Sequence, residues 1–128
     1  MEGDAVPTRR ARAAVRCVTA ELGISTAGDP SARDNAESAV LIASELVTNA
    51  WRHGHGVMEL RLCWDDGMLT LEVDDRGGML PAVLPAAKRG ARGGYGLALV
   101  DHLADEWGVQ RHPNGKTVWA RCALPLAS

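Results

Sequence analysis

The chain contains no phenylalanine and a single tyrosine. With its many alanines it looks like the product of a GC-rich coding sequence, and that bias carries no functional information. Lysine is almost missing too, with Lys88 and Lys116 as its only instances. There is no excess of either charge: 14 Lys and Arg stand against 16 Asp and Glu, a formal net charge of −2. That balance gives no basic footprint for nucleic acid. Cysteine is sparse, and Cys17, Cys63 and Cys122 are too far apart for metal-ligand spacing or a CxxC pair. Each lies in an apolar-periodic segment. All three are therefore expected to be buried reduced thiols, as in a cytoplasmic protein. No apolar run approaches the roughly 18 residues of a membrane-crossing helix, and no signal peptide is visible, so no membrane partner is expected. Repeats, low-complexity tracts and linker composition are absent as well, and 128 residues fit one domain.

What is present is a clear order of elements. Pro7 is placed to open a first helix after a frayed polar start, because its missing donor costs nothing there. Ala11, Val15, Val18 and Leu22 repeat at helical spacing before Gly23. Arg9, Arg10, Arg12 and Arg16 decorate the other faces as a solvated surface. A second helix is expected over about 31–53, capped by Asp29 or Ser31. Met58, Leu60, Leu62 and Trp64 alternate with polar neighbours as a half-buried strand. Asp65-Asp66-Gly67 signals a hairpin, and Leu69, Leu71 and Val73 mark the returning strand. Residues 79–93 show no period. A third helix follows from Leu97. Trp107 and Val109 open a strand, and Val118, Ala120, Cys122 and Leu124 share one face of the last. Two antiparallel hairpins with helices on one side give an α+β fold. It is expected to be a two-layer α/β sandwich with a mostly antiparallel, mixed sheet.

The stretch Glu45-Leu46-Val47-Thr48-Asn49-Ala50-Trp51-Arg52-His53-Gly54 organises the rest. Glu45 and Asn49 are four residues apart and share one helix face, and His53 continues the file. Asn is a poor mid-helix residue, since its side chain competes for backbone hydrogen bonds. A carboxylate and an amide oxygen at this spacing suit a hard cation such as Mg2+, which keeps positions open for water and phosphate. Taken alone, the file is also what a solvated polar stripe looks like.

Three further features bear on that choice. Asp75 ends a strand and is followed by Gly77 and Gly78. A carboxylate there, with close backbone approach, can accept a hydrogen bond from a flat amine such as that of adenine. The loop over 79–93 carries Lys88, Arg89 and Arg92, which can reach an anion. Gly94, Tyr95 and Gly96 open the third helix at Leu97, and a glycine-rich helix start presents free N–H groups that suit phosphate. Singly, each is weak; a glycine cluster is more often a turn.

In this order, Glu45-x-x-x-Asn49-Ala50-x-x-His53-Gly54, Asp75-Arg76-Gly77-Gly78, Gly94-Tyr95-Gly96-Leu97-Ala98-Leu99-Val100 and Gly115-Lys116-Thr117-Val118-Trp119 resemble the GHKL ATP-binding superfamily, the Bergerat fold. The resemblance covers roughly residues 8–124. It is closest to the small bacterial branch related to anti-sigma-factor serine kinases. It implies ATP and Mg2+ as cofactors, with Asn49 as the Mg2+ ligand and Glu45 as general base or orienting group for the acceptor. Asp75 would bind the adenine amine, and Gly77 would admit the base. Residues 79–93 would form a lid bearing Lys88, Arg89 and Arg92. Gly94, Tyr95, Gly96 and Leu97 would line the phosphates. Thr117 would sit under the adenine, and His53 would either cap the helix or join the site. Met79 stands where the family usually has a further glycine, and the strand that often precedes the first helix has little room before Pro7.

The implied function is an ATP-dependent serine/threonine protein kinase that phosphorylates a small antagonist protein and sequesters a sigma factor, with a homodimer left open. The alternatives are a nucleotide-gated partner-binding switch with little or no kinase activity, and a degenerate fold that binds only protein. A histidine kinase would need a helical dimerisation segment bearing a phosphoacceptor histidine, and His53, His55, His102 and His112 are not on such an element.

Overall fold

A computed structural model describes residues 2–24, 30–53, 58–75 and 97–125. Helices α1 (Glu2–Glu21) and α2 (Pro30–His53) come first, then strands β1 (Met58–Asp65) and β2 (Met68–Asp75). Helix α3 (Leu97–Leu103) and strands β3 (Glu106–His112) and β4 (Gly115–Ala123) follow. The four strands form one sheet in the order β1-β2-β4-β3, and every described pairing is antiparallel. The expected mixed character is therefore not found among the described strands.

Alternation decides which face of the sheet is covered. Leu69, Leu71 and Val73 on β2, and Val118, Ala120 and Cys122 on β4, are all buried. They face α2, which supplies Ala39, Val40, Ile42, Ala43, Leu46, Val47 and Ala50 to the same core. Helix α2 packs on α1, on α3 and on strands β1, β2 and β4. A helix with so many partners needs a wide apolar face, and the residues from Ala39 to Ala50 supply it. The opposite face of the sheet carries Arg61, Glu72, Asp74, Thr117, Trp119 and Arg121.

Local chemistry sets the boundaries. Gly23 has φ 73°; its N–H donates to the Ala20 carbonyl and that of Ile24 to the Thr19 carbonyl, closing α1 as a Schellman cap. An added Cβ would meet nothing there, so glycine is favoured by φ and not by space. Asp66 (φ 52°) and Gly67 (φ 82°) join Asp65 to Met68 in a two-residue hairpin, the conformation this dipeptide favours.

Three expectations need correction. Helix α1 starts at Glu2, so Pro7 lies within it and not at its first position; lacking an N–H, it cannot donate to the Gly3 carbonyl, a loss that falls near the helix end. Helix α2 starts at Pro30, which puts Ser31 inside the helix and not at its cap; Asp29 lies outside the described residues. Of the cysteines only Cys122 is buried, while Cys17 and Cys63 are exposed free thiols. Cys63 falls between Leu62 and Trp64 and so takes the outward phase of β1.

Candidate functional site

The antiparallel register brings Met58, Asp75, Lys116 and Arg111 into one row at an end of the sheet. Helix α2 ends at His53, five residues before Met58. Five residues of extended chain reach at most about 18 Å, so the C-terminal turns of α2 lie near this same end. Asn49 sits on those turns.

Asn49 is 1% exposed, and neither its Oδ1 nor its Nδ2 has a hydrogen-bond partner among the described residues. An unmet buried amide costs about 1–3 kcal/mol for each group left unsatisfied. A fold keeps such a group where something else completes it. Glu45, one turn earlier on the same face, is half-buried, so the file runs from solvent inwards. The amide oxygen of Asn49 is a hard donor and fits a hard cation such as Mg2+.

Asp75 is the last residue of β2 and is 4% exposed. Its Oδ1 accepts a hydrogen bond from Lys116 Nζ at 2.9 Å, and the two side chains are 1% and 2% exposed. Both sit on the helix-facing side of the sheet. A buried ion pair is expensive to desolvate and is weak evidence of stabilisation. Its presence at this row therefore bears on function.

Thr117 is one residue on and points the other way. Its hydroxyl donates to Asp74, and His112 Nε2 lies 2.7 Å from it. Arg61 binds Asp74 through both terminal nitrogens and reaches Glu72 Oε1 from Nε at 3.1 Å. The Arg61 bonds hold the Asp74 carboxyl down to about 2, and the same bonds raise Arg61 above its ordinary value. Arg61, Glu72 and Asp74 of this outer cluster are half-exposed, while Thr117 beneath them is buried, and their side chains bond one another. The structure thus does not bring Thr117 together with Asp75. Lys116 takes the position beside Asp75, and the sequence reading missed it. The signal was available: stepping back by two from Val118 along β4 lands on Lys116 and puts Thr117 on the other face of the sheet.

Leu97 begins α3 and is wholly buried, so its side chain belongs to the core. The side chain of His53 and the residues Gly77, Met79, Lys88, Arg89, Arg92, Gly94, Tyr95 and Gly96 lie outside the described residues, as does the lid expected over 79–93.

Residues 4–122 match a family described as the histidine kinase-like ATPase domain. The chain belongs to that family. Among solved structures, this ATPase domain is similar to the histidine kinase domain of the Erythrobacter litoralis EL346 blue-light activated histidine kinase. The two share 28% identity at a TM-score of 0.54, over 71% of this chain and 45% of that one. It is likewise similar to a second structure of the EL346 kinase, with 29% identity and a TM-score of 0.52 over 70% of this chain and 31% of that one. The chain thus spans less than half the length of the solved kinases it matches. No curated protein matches it. The fold these comparisons describe is the ATP-binding fold implied by the ordered motifs. Among the described residues no helix is long and apolar enough to cross a membrane.

Proposed function

We propose that this ATPase domain binds ATP with Mg2+ and transfers the γ-phosphoryl group to a serine of a small protein, as an anti-sigma-factor type kinase acting between an antagonist protein and a sigma factor. The observation that carries the reading is the buried amide of Asn49, without a partner among the described residues, beside half-buried Glu45. A polar stripe made for solvation would not be 1% exposed at its centre.

Asn49 Oδ1 would ligate the Mg2+, which supplies charge neutralisation for the phosphates. Asp75 would accept the hydrogen bond of the adenine amino group and fix the base. Glu45 sits one turn towards solvent, where an acceptor protein can reach it. It would take the proton of the serine hydroxyl as that oxygen bonds to the γ-phosphorus and the bond to the β-bridging oxygen breaks, releasing ADP. The glycine cluster at 94–96 and the cations Lys88, Arg89 and Arg92 would hold the phosphates.

A second reading is favoured by the solved relatives, which are histidine kinases by name. One assay separates them. The purified chain is given γ-labelled ATP and candidate acceptor proteins, beside Glu45→Ala. An acid-stable phosphoserine product that Glu45→Ala loses, with ATP affinity unchanged in calorimetry, supports the serine kinase. An acid-labile product points to histidine transfer. Tight Mg2+-dependent binding without any transfer leaves a nucleotide-gated switch, and no binding overturns the nucleotide reading.

A further inference from the structure

Resting on that ATP-binding reading, we propose that Lys116 is a specificity-determining residue, which with Asp75 reads the Watson–Crick edge of the adenine base directly. Three observations meet here. Lys116 and Asp75 are register partners on adjacent strands, side by side at the end of the β2–β4 pairing. Their side chains turn to the helix-covered face, at 2.9 Å and almost without exposure. The residue that would have offered a neutral hydroxyl, Thr117, is committed on the opposite face to Asp74 and His112.

A carboxylate accepts several hydrogen bonds, and an ammonium donates three. The pair therefore presents an acceptor and a donor next to each other, oriented by their mutual bond. Adenine's edge is the complement: the 6-amino group donates and N1 accepts. Asp75 takes the amino hydrogen and Lys116 Nζ donates to N1. Guanine is the wrong way round at both positions, since O6 would face the carboxylate and N1–H would face the ammonium. A site built from buried polar groups rejects a ligand that leaves them unmatched far more strongly than an apolar pocket does. A charged donor also makes the bond to N1 stronger than a neutral hydroxyl would.

The test measures calorimetric affinities of the intact chain for ATP, 1-deaza-ATP and GTP in the presence of Mg2+. The analogue keeps the amino group and replaces N1 by CH. Wild type is expected to bind 1-deaza-ATP about ten- to a hundredfold more weakly than ATP, and GTP more weakly still. In Lys116→Met the penalty for 1-deaza-ATP should fall to within about twofold, because the coupled partner is gone. Equal binding of ATP and 1-deaza-ATP by wild type overturns the role of Lys116 while leaving the ATP site intact, and it needs no variant that could misfold. If wild type binds no ATP but Lys116→Thr does, the pair is a plug and the specificity role is overturned. If neither binds, the nucleotide reading fails along with it.

Discussion

The two faces of the sheet carry two polar clusters one residue apart in sequence, and they are built on opposite principles. Outside, Asp74 and buried Thr117 belong to a network with Arg61, Glu72 and His112 whose charged members reach solvent. Inside, Asp75 and Lys116 are sealed from water, and the amide of Asn49 has no described partner. The outer cluster would be understood from its own contacts in any half-solvated sheet. The inner one would not, because burying charge, and with it an amide that has no partner among the described residues, costs free energy that an aliphatic set would not. A binding site is a natural place for buried polar groups. The sharpest way to break this contrast is Lys116→Met. It removes the Lys116 ammonium from the buried Asp75 carboxylate and should destabilise the chain by about 3–5 kcal/mol in chemical denaturation. The double change Lys116→Met with Asp75→Asn should recover much of that loss. Loss of less than about 1 kcal/mol in the single variant would mean that water reaches the pair, and the inner cluster would then be no different from the outer one.

Asn49 sharpens the comparison with a change of the opposite sign. Asn49→Leu replaces an amide that has no partner among the described residues by an apolar group of similar size, on a helix whose neighbours Leu46 and Ala50 are already core. The free protein should gain about 1–2 kcal/mol, and Mg2+-dependent nucleotide binding should disappear. A thermal melt and a calorimetric titration read the two effects separately. If Asn49→Leu lowers stability, the amide has a structural partner and the case for a ligand there is lost.

How far the sequence carries these conclusions depends on the length scale of the signal. The Asp66-Gly67 hairpin, the Gly23 stop and the apolar face of α2 are legible because each is written in a few consecutive residues. The covered face of β4 is legible from Val118 to Leu124. Extending its period by two residues separates Lys116 from Thr117 on alternation alone. The family motif instead draws attention to the hydroxyl and away from the alternation. Cys63 is misjudged in the same way, since an apolar surrounding in sequence is not an apolar surrounding in space when the period is two. The start of α1 is not legible, because Pro7 reads as a first-turn residue and nothing local says that the helix already has a turn ahead of it. The ion pair of Asp75 with Lys116 is a contact across 41 residues, and no local pattern encodes it.

The smallest expected effect belongs to the outer cluster and completes the contrast. Asp74→Asn removes a carboxylate that is 37% exposed and bound by an arginine that is 41% exposed, so at neutral pH the loss should be at most about 1 kcal/mol. Its signature lies in acid. The folded-state value of about 2 is below the ordinary 3.8 of an unfolded aspartate. The unfolded chain therefore binds the proton first. The contribution of Asp74 is fully present above pH about 4 and is lost as the pH falls towards 2. Wild type should lose stability more steeply than Asp74→Asn across that window, and the two curves should approach each other at its lower end. Nucleotide affinity at neutral pH should not change, since the cluster faces away from Asp75. Parallel acid curves would show that Arg61 does not hold Asp74 in solution. A drop in ATP affinity would show that the two faces are not independent.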